Sequence, residues 1–597
     1  PETVGKDLDD LAKAGMKVIR VFPLWPDFQP IRNLYGGGGS IVETRMGEEP
    51  LADTEAGRAG VDEEMMFRFR FLADEAQKRD ITLIVGLVTG WMSGRLYVPP
   101  ALESLNVLTD PAAVMWEVRY VRYFVRTMKD HPAIGAWDLG NECNCMGKTD
   151  RQQAWLWTHS IASAIRMEDP DRKIVSGMHG LSADTFQSWQ IRDQGELTDV
   201  LSVHPYPLFT RYCNLAPFND IRSELHAAAE SALYSDLAGR LCFPEEAGNL
   251  GPMQSSDERA ALNMRCSLFT SWAHDLRAYL WWCAYDQGHL KHMPYDAMGI
   301  ERELGLLKAD RTPKKTWKTM AEFTRFTQSL GFELPPMIRE AVCILTSGQD
   351  QWQAAFGSFI LAKQAGFDLK FADAKDPLPE SQFYLMPSVT GMGVLPRRRW
   401  LELLERIQNG ATLLVTSADG VLQPFGDVFG IDVDCSFVKN KEVEFYFEHA
   451  NFSIPSGRQR LLKVKNAEVF AYNGTNPVFT GVSYGKGKAF YFNLPLEQQI
   501  GTITEQPYYL IYRFVFESAG FRRVIRKNAP ELGLTEHHAP DGRVVCVAVN
   551  YDEREHDFIL GVQNEYEVKE VINGVWEKDT LFMKGNDGAV VVLEKRK

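Results

Sequence analysis

The sequence contains no apolar run that reaches the roughly 18–20 residues of a membrane span. It also has no excess of basic residues, since the formal net charge is −14 at pH 7. Nucleic acids and anionic membranes are bound by clustered Lys and Arg, so neither is expected as a partner. The glycine-rich stretch 36–39 lacks the Lys-Ser/Thr of a phosphate-binding loop. It is interpreted as a mobile loop, and nucleotide binding is not expected.

Cysteine is sparse: the nine residues are an odd number, scattered mostly through apolar text, as buried free thiols are. A disulfide framework is not expected at this chain length, which favours a reducing, cytoplasmic compartment. The opening PETVGKDLDD is neither a signal peptide nor an initiator methionine, so a segment upstream is expected. The pairs Cys143/Cys145 and His289/His292 lack a four-ligand zinc spacing. No metal and no cofactor are therefore predicted.

The first part of the chain alternates short apolar strands with amphipathic helices, the pattern of βα repeats around a parallel sheet. A helix at 2–15 precedes seven predicted strands: Lys17–Phe22, Ile81–Leu87, Ala133–Leu139, Lys173–Ser176, Asp199–Val203, Leu241–Pro244 and Ala278–Cys283. The predicted fold class is α/β. The best fit is a (β/α)8 TIM barrel whose first strand would lie upstream of Pro1, and an open doubly wound sheet is the alternative.

A Pro-rich stretch at 333–337 is typical of a linker. Beyond it, alternating strands and helices predict a smaller flavodoxin-like α/β sheet, and the last 75 residues predict a small antiparallel β-domain. The predicted domains are a barrel over 1–332, a flavodoxin-like domain over 337–522 and a C-terminal β-domain over 523–597. A chain of 597 residues is too long for one core, which agrees with this division.

Two predicted barrel strands end in carboxylates. The strand 133–139 is followed by Gly140-Asn141-Glu142, and the strand 241–244 by Glu245-Glu246-Ala247-Gly248. Side chains at the carboxyl ends of barrel strands share one mouth, and glycosidic hydrolysis needs two carboxyl groups across the scissile bond. Because successive strand residues point oppositely, only one of Glu245 and Glu246 is expected to face the mouth.

These residues resemble the large clan of barrel glycosidases. Asn141-Glu142 is similar to the clan's strand-four Asn-Glu pair, with Glu142 as acid/base, and Glu246 to its strand-seven nucleophile, which stands two residues before a Gly. The resemblance further implies that Arg20 and the His204-Pro-Tyr206 motif support the nucleophile. Of the pair Trp281-Trp282, it makes Trp282 the floor of the sugar subsite, and Trp281 is expected to pack outward.

If the resemblance holds, the reaction retains the anomeric configuration and the carboxyl groups lie roughly 5–5.5 Å apart. We expect the surroundings of Glu142 to raise its pKa, so that it can donate a proton. Arg20 and the Tyr206 hydroxyl are expected to favour the ionised form of Glu246. Asn141 is expected to hydrogen-bond the 2-hydroxyl group of the sugar.

Residues 1 to about 330 resemble glycoside hydrolase family 5, in the part that contains β-mannosidases and mannanases. The phrases that carry this are RVFPLWPDFQP (20–30), TGWMSG (89–94), WDLGNECN (137–144) and LWWCAYDQ (280–287). The later region resembles the trimerisation domain of family 42 β-galactosidases, and the whole layout is similar to the exo-acting β-mannosidases of family 5, subfamily 18. The sequence departs from the family at Ala247, where an aromatic residue is usual, and near Thr89, where a strand-three His is not obvious.

The resemblance implies a retaining exo-β-mannosidase that acts on short oligosaccharides such as Manβ1-4GlcNAc and forms a homotrimer. The alternatives are a β-galactosidase, an endo-β-mannanase and a non-catalytic sugar-binding scaffold. Besides the residues named above, the predicted substrate contacts are Trp25, Trp91 and Asp286, and further loop residues that could wall the subsites are Asp27, Arg95, His289, Glu301 and Glu303.

Overall fold

The computed structural model of the chain describes residues 2–184, 187–501 and 506–596. The chain divides into two compact units. The first comprises residues 1–206, 238–264 and 276–331, and the second 207–237, 265–275 and 332–597. The domain boundaries at 332, 337 and 523 stay predictions. No helix in the described ranges combines the length and the apolar character needed to cross a membrane.

Up to residue 329, short strands alternate with amphipathic helices. The elements are α1 (Glu2–Lys13), β1 (Val18–Val21), α2 (Trp25–Phe28), β2 (Ile31–Tyr35), β3 (Ile41–Met46), β4 (Glu49–Pro50), α3 (Glu55–Ala59), α4 (Glu63–Gln77), β5 (Thr82–Val88), β6 (Trp91–Met92), β7 (Arg95–Leu96), α5 (Pro111–Met128), β8 (Ile134–Gly140), α6 (Arg151–Glu168), β9 (Lys173–Val175), α7 (Ile191–Leu197), β10 (Val200–Val203), α8 (Ile221–Ala238), β11 (Leu241–Pro244), α9 (Asp257–Ala273) and α10 (Lys315–Ser329).

Polar caps fix where the helices begin. The Asp62 and Asp110 side chains accept hydrogen bonds from the first free amide groups of α4 and α5. Helix α6 starts with a capping box between Asp150 and Gln153. Helix positions are therefore set locally, and the apolar faces then pack on the parallel sheet around fully buried side chains such as Trp137.

Among the described residues, the first unit contains a parallel sheet of six strands in the order β1-β5-β8-β9-β10-β11. Each of these strands matches a predicted strand to within two residues at either end. The segment Ala278–Cys283, predicted as a seventh strand, does not form a continuous strand, because it makes only an isolated bridge, from Trp281 to Ala247. It still runs parallel to β11, and the Leu280 and Ala247 amides hydrogen-bond across the gap to Pro244 O and Leu280 O.

The sheet is open between β1 and the segment 279–285. A cavity of about 310 Å³ lies there, lined by α1, β1 and that segment, with Arg20 and Glu246 at one end. Among the described residues β1 pairs only with β5.

The glycine stretch 36–39 connects β2 and β3, which pair as an antiparallel hairpin. The hairpin was not foreseen, because its exposed strands carry little apolar periodicity. The stretch was interpreted as a loop, and the structure makes it the connecting turn.

The later part of the chain contains β12 (Ala341–Leu345), α11 (Gln351–Ala365), β13 (Leu369–Asp373), β14 (Phe383–Val389), α12 (Arg397–Gln408), β15 (Thr412–Ser417), α13 (Gly426–Phe429), β16 (Ile431–Phe447), β17 (Ala450–Val464), β18 (Glu468–Asn473), β19 (Asn476–Tyr484), β20 (Gly487–Phe492), α14 (Tyr509–Ser518), β21 (Ile525–Lys527), β22 (Leu532–His538), β23 (Val544–Asn550), β24 (His556–Val562), β25 (Tyr566–Ile572), β26 (Val575–Glu577), β27 (Thr580–Met583) and β28 (Asp587–Lys595).

Within the second unit, a mixed sheet has the order β13-β12-β14-β15-β20-β19-β18, and its first five strands are parallel. This is the predicted flavodoxin-like arrangement. Strands β16 and β17 form a long separate hairpin, and β21 to β28 form two four-stranded antiparallel sheets, as predicted. The buried Arg523 pairs with Glu340 and Asp368 and so ties the C-terminal sheets to the mixed sheet.

Candidate active site

The predicted catalytic side chains all stand at the carboxyl ends of the parallel strands. Arg20 lies on β1, Glu142 follows β8, His204 follows β10, and Glu246 follows β11. Parallel strands present these ends at one edge of the sheet, so four separate segments deliver polar groups to one place. The structure therefore brings together residues that are up to 226 positions apart in the sequence.

Arg20 is the centre of the cluster. Its side chain is only 3% exposed and contacts three carboxylates, with Nε to Asp138 Oδ2 at 2.8 Å, Nε to Glu245 Oε1 at 3.3 Å and Nη1 to Glu246 Oε1 at 2.7 Å. Nη1 also donates to Asn141 Oδ1 at 3.1 Å. One guanidinium thus fixes the end of β8 against the end of β11, which five fixed donors can do.

Glu246 is held on both oxygens. Oε1 accepts from Arg20, while Oε2 accepts from the Tyr206 hydroxyl at 3.3 Å and lies 3.6 Å from His204 Nδ1. The adjacent Glu245 is fully buried, whereas the Glu246 side chain is 9% exposed. This difference agrees with Glu246 being the member of the pair that faces the mouth.

Glu142 is held by two histidines. His204 Nδ1 lies 2.8 Å and His179 Nδ1 2.9 Å from the same oxygen, Oε1. The backbone of Glu142 is left-handed, with φ of 45°, and its amide donates to Gly177 O. Such a conformation in a non-glycine residue costs free energy and is found where surrounding contacts impose it.

His204 contacts both carboxyl groups with one nitrogen. Its Nδ1 lies 2.8 Å from Glu142 Oε1 and 3.6 Å from Glu246 Oε2. These distances keep the two oxygens less than about 6.5 Å apart, which suits the ~5–5.5 Å of a retaining enzyme and falls short of the ~6.5–9.5 Å of an inverting one.

The pKa directions in this unliganded site are the reverse of those expected from the sequence. Burial by itself would raise the pKa of Glu142, but the hydrogen bonds from His179 and His204 outweigh it and lower that pKa. Burial raises the pKa of Glu246, and the opposing charges of His204 and Arg20 do not fully offset it. The sequence argument missed the second histidine and the depth of burial.

The charges around His204 favour its protonated form. Burial alone would lower the pKa of His204, but the negative charges of Glu246 and Glu142 raise it to about 10. Burial also raises the pKa of Asp138 to about 8, against the pull of Arg20. Crowded carboxylates in a dry site cannot all ionise, so protons are shared within the cluster.

Trp282 lies beside this cluster. It packs edge-on against Phe22 with ring centroids 5.4 Å apart, and its Nε1 donates to Glu301 Oε2 at 3.3 Å. Ser93 Oγ donates to the same Glu301 oxygen at 2.6 Å. Burial, together with the charges of Glu246 and Glu142, raises the pKa of Glu301 to about 7. The charges of the catalytic carboxylates therefore also act on Glu301, which does not contact Arg20 directly.

One predicted substrate contact is wrong, and a second one, which stays a prediction, is bound within its own loop. Trp25 has 0% exposure, and its Nε1 donates to Gln29 within the core, so it cannot reach a sugar. Asp286 accepts from Lys314 Nζ at 2.6 Å and from the Gly305 amide, which makes it a brace of its own loop. The error at Trp25 arose because loop position alone does not reveal burial.

Two other predicted substrate contacts, Trp91 and Asn141, are linked to Arg20 by hydrogen bonds. Trp91 is half-buried, and its carbonyl accepts from Asn141 Nδ2 at 2.9 Å. Asn141 is thus fixed through both ends of its amide, by Arg20 and by Trp91. One N–H of Asn141 remains for the sugar hydroxyl that the sequence assigned to it.

Sequence reasoning missed His179. It follows β9, and its amide donates to Asn144 Oδ1. Its position just beyond the carboxyl end of a barrel strand was a usable signal, since such positions carry function in this fold. Gly177, two residues before His179, lets this segment lie close to the end of β8. A Cβ at Gly177 would collide with Asp138 Oδ1 and Gly140 O.

No family model matches the chain. It is 25% identical over 180 residues to mannan endo-1,4-β-mannosidase F of Aspergillus fumigatus, covering 29% of this chain and 38% of that protein. It is 26% identical over 295 residues to mannan endo-1,4-β-mannosidase A of Podospora anserina, covering 46% and 74%. The chain thus spans well under half the length of the first of these curated relatives.

Solved structures match over more of the chain. The exo-β-1,4-mannosidase Op5Man5 from Opitutaceae bacterium strain TAV5 has a TM-score of 0.67 at 19% identity, covering 86% of this chain and 92% of that one. A catalytic mutant of a GH42 β-galactosidase from G. stearothermophilus has a TM-score of 0.69 at 12% sequence identity, and the match covers 100% of this chain and 96% of that one. GH5_18 from Streptomyces cattleya, in complex with GlcNAc, has a TM-score of 0.52 at 20% sequence identity, and the match covers 62% of this chain and 88% of that one.

At these identities the solved structures show the fold. It is that of TIM-barrel glycoside hydrolases with β-rich C-terminal domains, and the predicted fold class is confirmed. The resemblance to family 5 mannosidases combined with a family 42 layout is confirmed as well.

Replacing Arg20 with Met is expected to destabilise the protein by about 3–5 kcal/mol, because it leaves buried carboxylates without their cation. Urea denaturation followed by tryptophan fluorescence measures this. Arg32→Met, at an exposed arginine of β2, is the control and should change the free energy of unfolding by less than about 0.5 kcal/mol. Equal stability of the two variants would contradict the role given to Arg20.

Proposed function

We propose that the chain is a retaining exo-β-glycosidase, a β-mannosidase that cleaves short β-mannosides such as Manβ1-4GlcNAc by double displacement. The observation that carries this proposal is the meeting of Glu142 and Glu246 at His204 Nδ1, at 2.8 and 3.6 Å. The names of the relatives support mannose as the sugar, since they are mannan endo-1,4-β-mannosidases and an exo-β-1,4-mannosidase.

In the first step, a Glu246 oxygen attacks the anomeric carbon while the bond from that carbon to the leaving oxygen breaks. Glu142 delivers a proton to the leaving oxygen. Arg20 and Tyr206 position Glu246 for the attack, since each holds one of its oxygens. In the second step, Glu142 takes a proton from water, the water oxygen bonds to the anomeric carbon, and Glu246 is released as its bond to that carbon breaks. The proton on Glu142 then returns to His204 across their hydrogen bond, which restores the starting site.

The proton that Glu142 delivers in the first step comes from His204. The charge of Glu246 is a main reason why the pKa of His204 is raised to about 10. Attack by Glu246 removes that charge, so His204 holds its proton less tightly as the bond forms. The 2.8 Å hydrogen bond from His204 then carries the proton to Glu142. Nucleophilic attack and acid catalysis are coupled through one imidazole.

Glu142→Gln and Glu246→Ala are each expected to lose at least ~10³-fold in turnover of Manβ1-4GlcNAc, which is about 4 kcal/mol of barrier. Glu103→Gln, at an exposed carboxylate outside the site, is the matched control and should keep wild-type activity. Released mannose measures the rate, and circular dichroism checks folding. Near-wild-type turnover by either site variant would reject the assignment.

Replacing His179 with Phe removes a hydrogen bond to the ionised form of Glu142. Glu142 should therefore attract the proton that it shares with His204 more strongly, and the coupled Glu142–His204 pair should stay protonated to higher pH. The descending limb of kcat/KM against pH is expected to move up by roughly 0.5–1 unit, the worth of one hydrogen bond. His159→Phe on α6 is the control. A limb that stays in place or moves down contradicts this assignment.

An endo-β-mannanase is the second candidate, favoured by the names of the sequence relatives. An exo-enzyme releases mannose from chain ends, whereas an endo-enzyme lowers the viscosity of mannan before monosaccharide accumulates. Nitrophenyl mannoside compared with galactoside and glucoside further separates the mannosidase from a β-galactosidase on the same barrel.

We infer a homotrimer from the resemblance of the later region to the trimerisation domain of family 42. The hairpin β16–β17 supports an intermolecular contact, because it exposes apolar side chains: Val438 is 70%, Val433 40% and Phe437 36% exposed. A two-stranded hairpin with exposed apolar residues is poorly stable by itself.

Light scattering on the purified protein is expected to give three times the chain mass of 67.6 kDa. Val438→Glu should shift the mass towards the monomer, because it places a charge in the contact. Val575→Glu, at a residue 55% exposed on β26, is the control. A wild-type mass of one chain would contradict the trimer.

We also infer a reducing compartment, the cytoplasm, for this enzyme. All nine cysteines are free thiols, and only Cys435 is exposed. Fractionation of the producing cells tests this, and recovery of the protein outside the cytoplasm would contradict it.

A further inference from the structure

Three side chains from three successive strand ends place metal-binding atoms around one point. They are Glu142 Oε1, His179 Nδ1 and His204 Nδ1, and all three atoms lie within 4.8 Å of one another. In the described part of the chain, this is the one such group of three or more His, Cys, Asp or Glu residues. The pairs Cys143/Cys145 and His289/His292, weighed from the sequence, do not form one.

The donor set is that of zinc. Two imidazole nitrogens and one carboxylate oxygen, with a fourth position left open, are the protein ligands of many zinc sites. The donors are now 2.8 and 2.9 Å apart along the two hydrogen bonds. Ligands around tetrahedral zinc stand about 3.3 Å apart, so each of these two donor pairs needs to open by only a few tenths of an ångström.

The surroundings favour a cation. His204 Nε2 is buried without a hydrogen bond and lies 3.6 Å from Glu245 Oε2, the carboxylate-histidine arrangement that orients metal-bound imidazoles. Glu246 Oε2 lies 3.6 Å from the ligating His204 nitrogen. Arg20, a permanent cation beside these residues, is already shared among three carboxylates.

We infer that Glu142, His179 and His204 form an inhibitory Zn²⁺ site, in which the bound metal switches the enzyme off reversibly. The metal would occupy the Glu142 oxygen and both imidazole nitrogens, which leaves no acid for the leaving group. The inhibition rests on the proposed function, whereas the binding does not.

Binding is tested with Co²⁺ as a visible probe on the full chain after chelator treatment, in a Cys435→Ser background that removes the exposed thiol. We expect one equivalent of Co²⁺ to give the absorption of a four-coordinate nitrogen–oxygen site, and Zn²⁺ to displace it. His179→Phe and His179→Gln should each weaken Zn²⁺ binding at least ~10²-fold, while His159→Phe leaves it unchanged. Circular dichroism checks that the variants fold. Absence of the band, or equal affinity in all variants, overturns the site.

Activity is measured in the same titration. Inhibition by Zn²⁺ should follow the displacement curve and should be reversed by EDTA. If Zn²⁺ binds at these residues and the enzyme stays active, the inhibitory role is overturned. If the metal-free protein cleaves no β-glycoside, the proposed function fails, and the spectroscopic titration still decides whether the metal site exists.

Discussion

The site depends on one buried guanidinium. Arg20 contacts Asp138, Glu245 and Glu246 from β1, and two of these carboxylates come from the far side of the sheet order. In a site shielded from water, the attraction between unit charges is several-fold stronger than in solvent. Without that cation, three acidic side chains could not share the edge of one sheet.

The surplus of negative charge explains the protonation of the site. One arginine does not neutralise the carboxylates around it, so the site takes up protons, and the pKa of His204 is raised to about 10, against the effect of burial. His204 can share its proton with Glu142 because its Nδ1 touches that carboxylate at 2.8 Å. A site that attracts protons through crowded carboxylates also attracts divalent cations, since the same lone pairs serve both.

Glycine makes the close approach of the strand ends possible. A Cβ on Gly140 would meet the carbonyl oxygen of Val88 and the sulfur of Cys143. The next-but-one residue, Glu142, then takes a left-handed conformation that turns its carboxylate towards the two histidines. The Gly140-Asn141-Glu142 segment thus sets the backbone conformation at the end of β8 and also supplies the catalytic carboxylate.

The sequence alone determined the six parallel strands and their order along the chain, the two carboxylates at strand ends, and the likeness to barrel glycosidases, because apolar periodicity and short motifs are local properties. Only the tertiary structure decided that Trp25 is buried and Asp286 braces its loop, that His179 joins His204 on Glu142, and that the segment 278–283 pairs too weakly to count as a strand. Burial, long-range hydrogen bonds and the resulting pKa shifts depend on which distant segments meet, and local pattern carries no information on that.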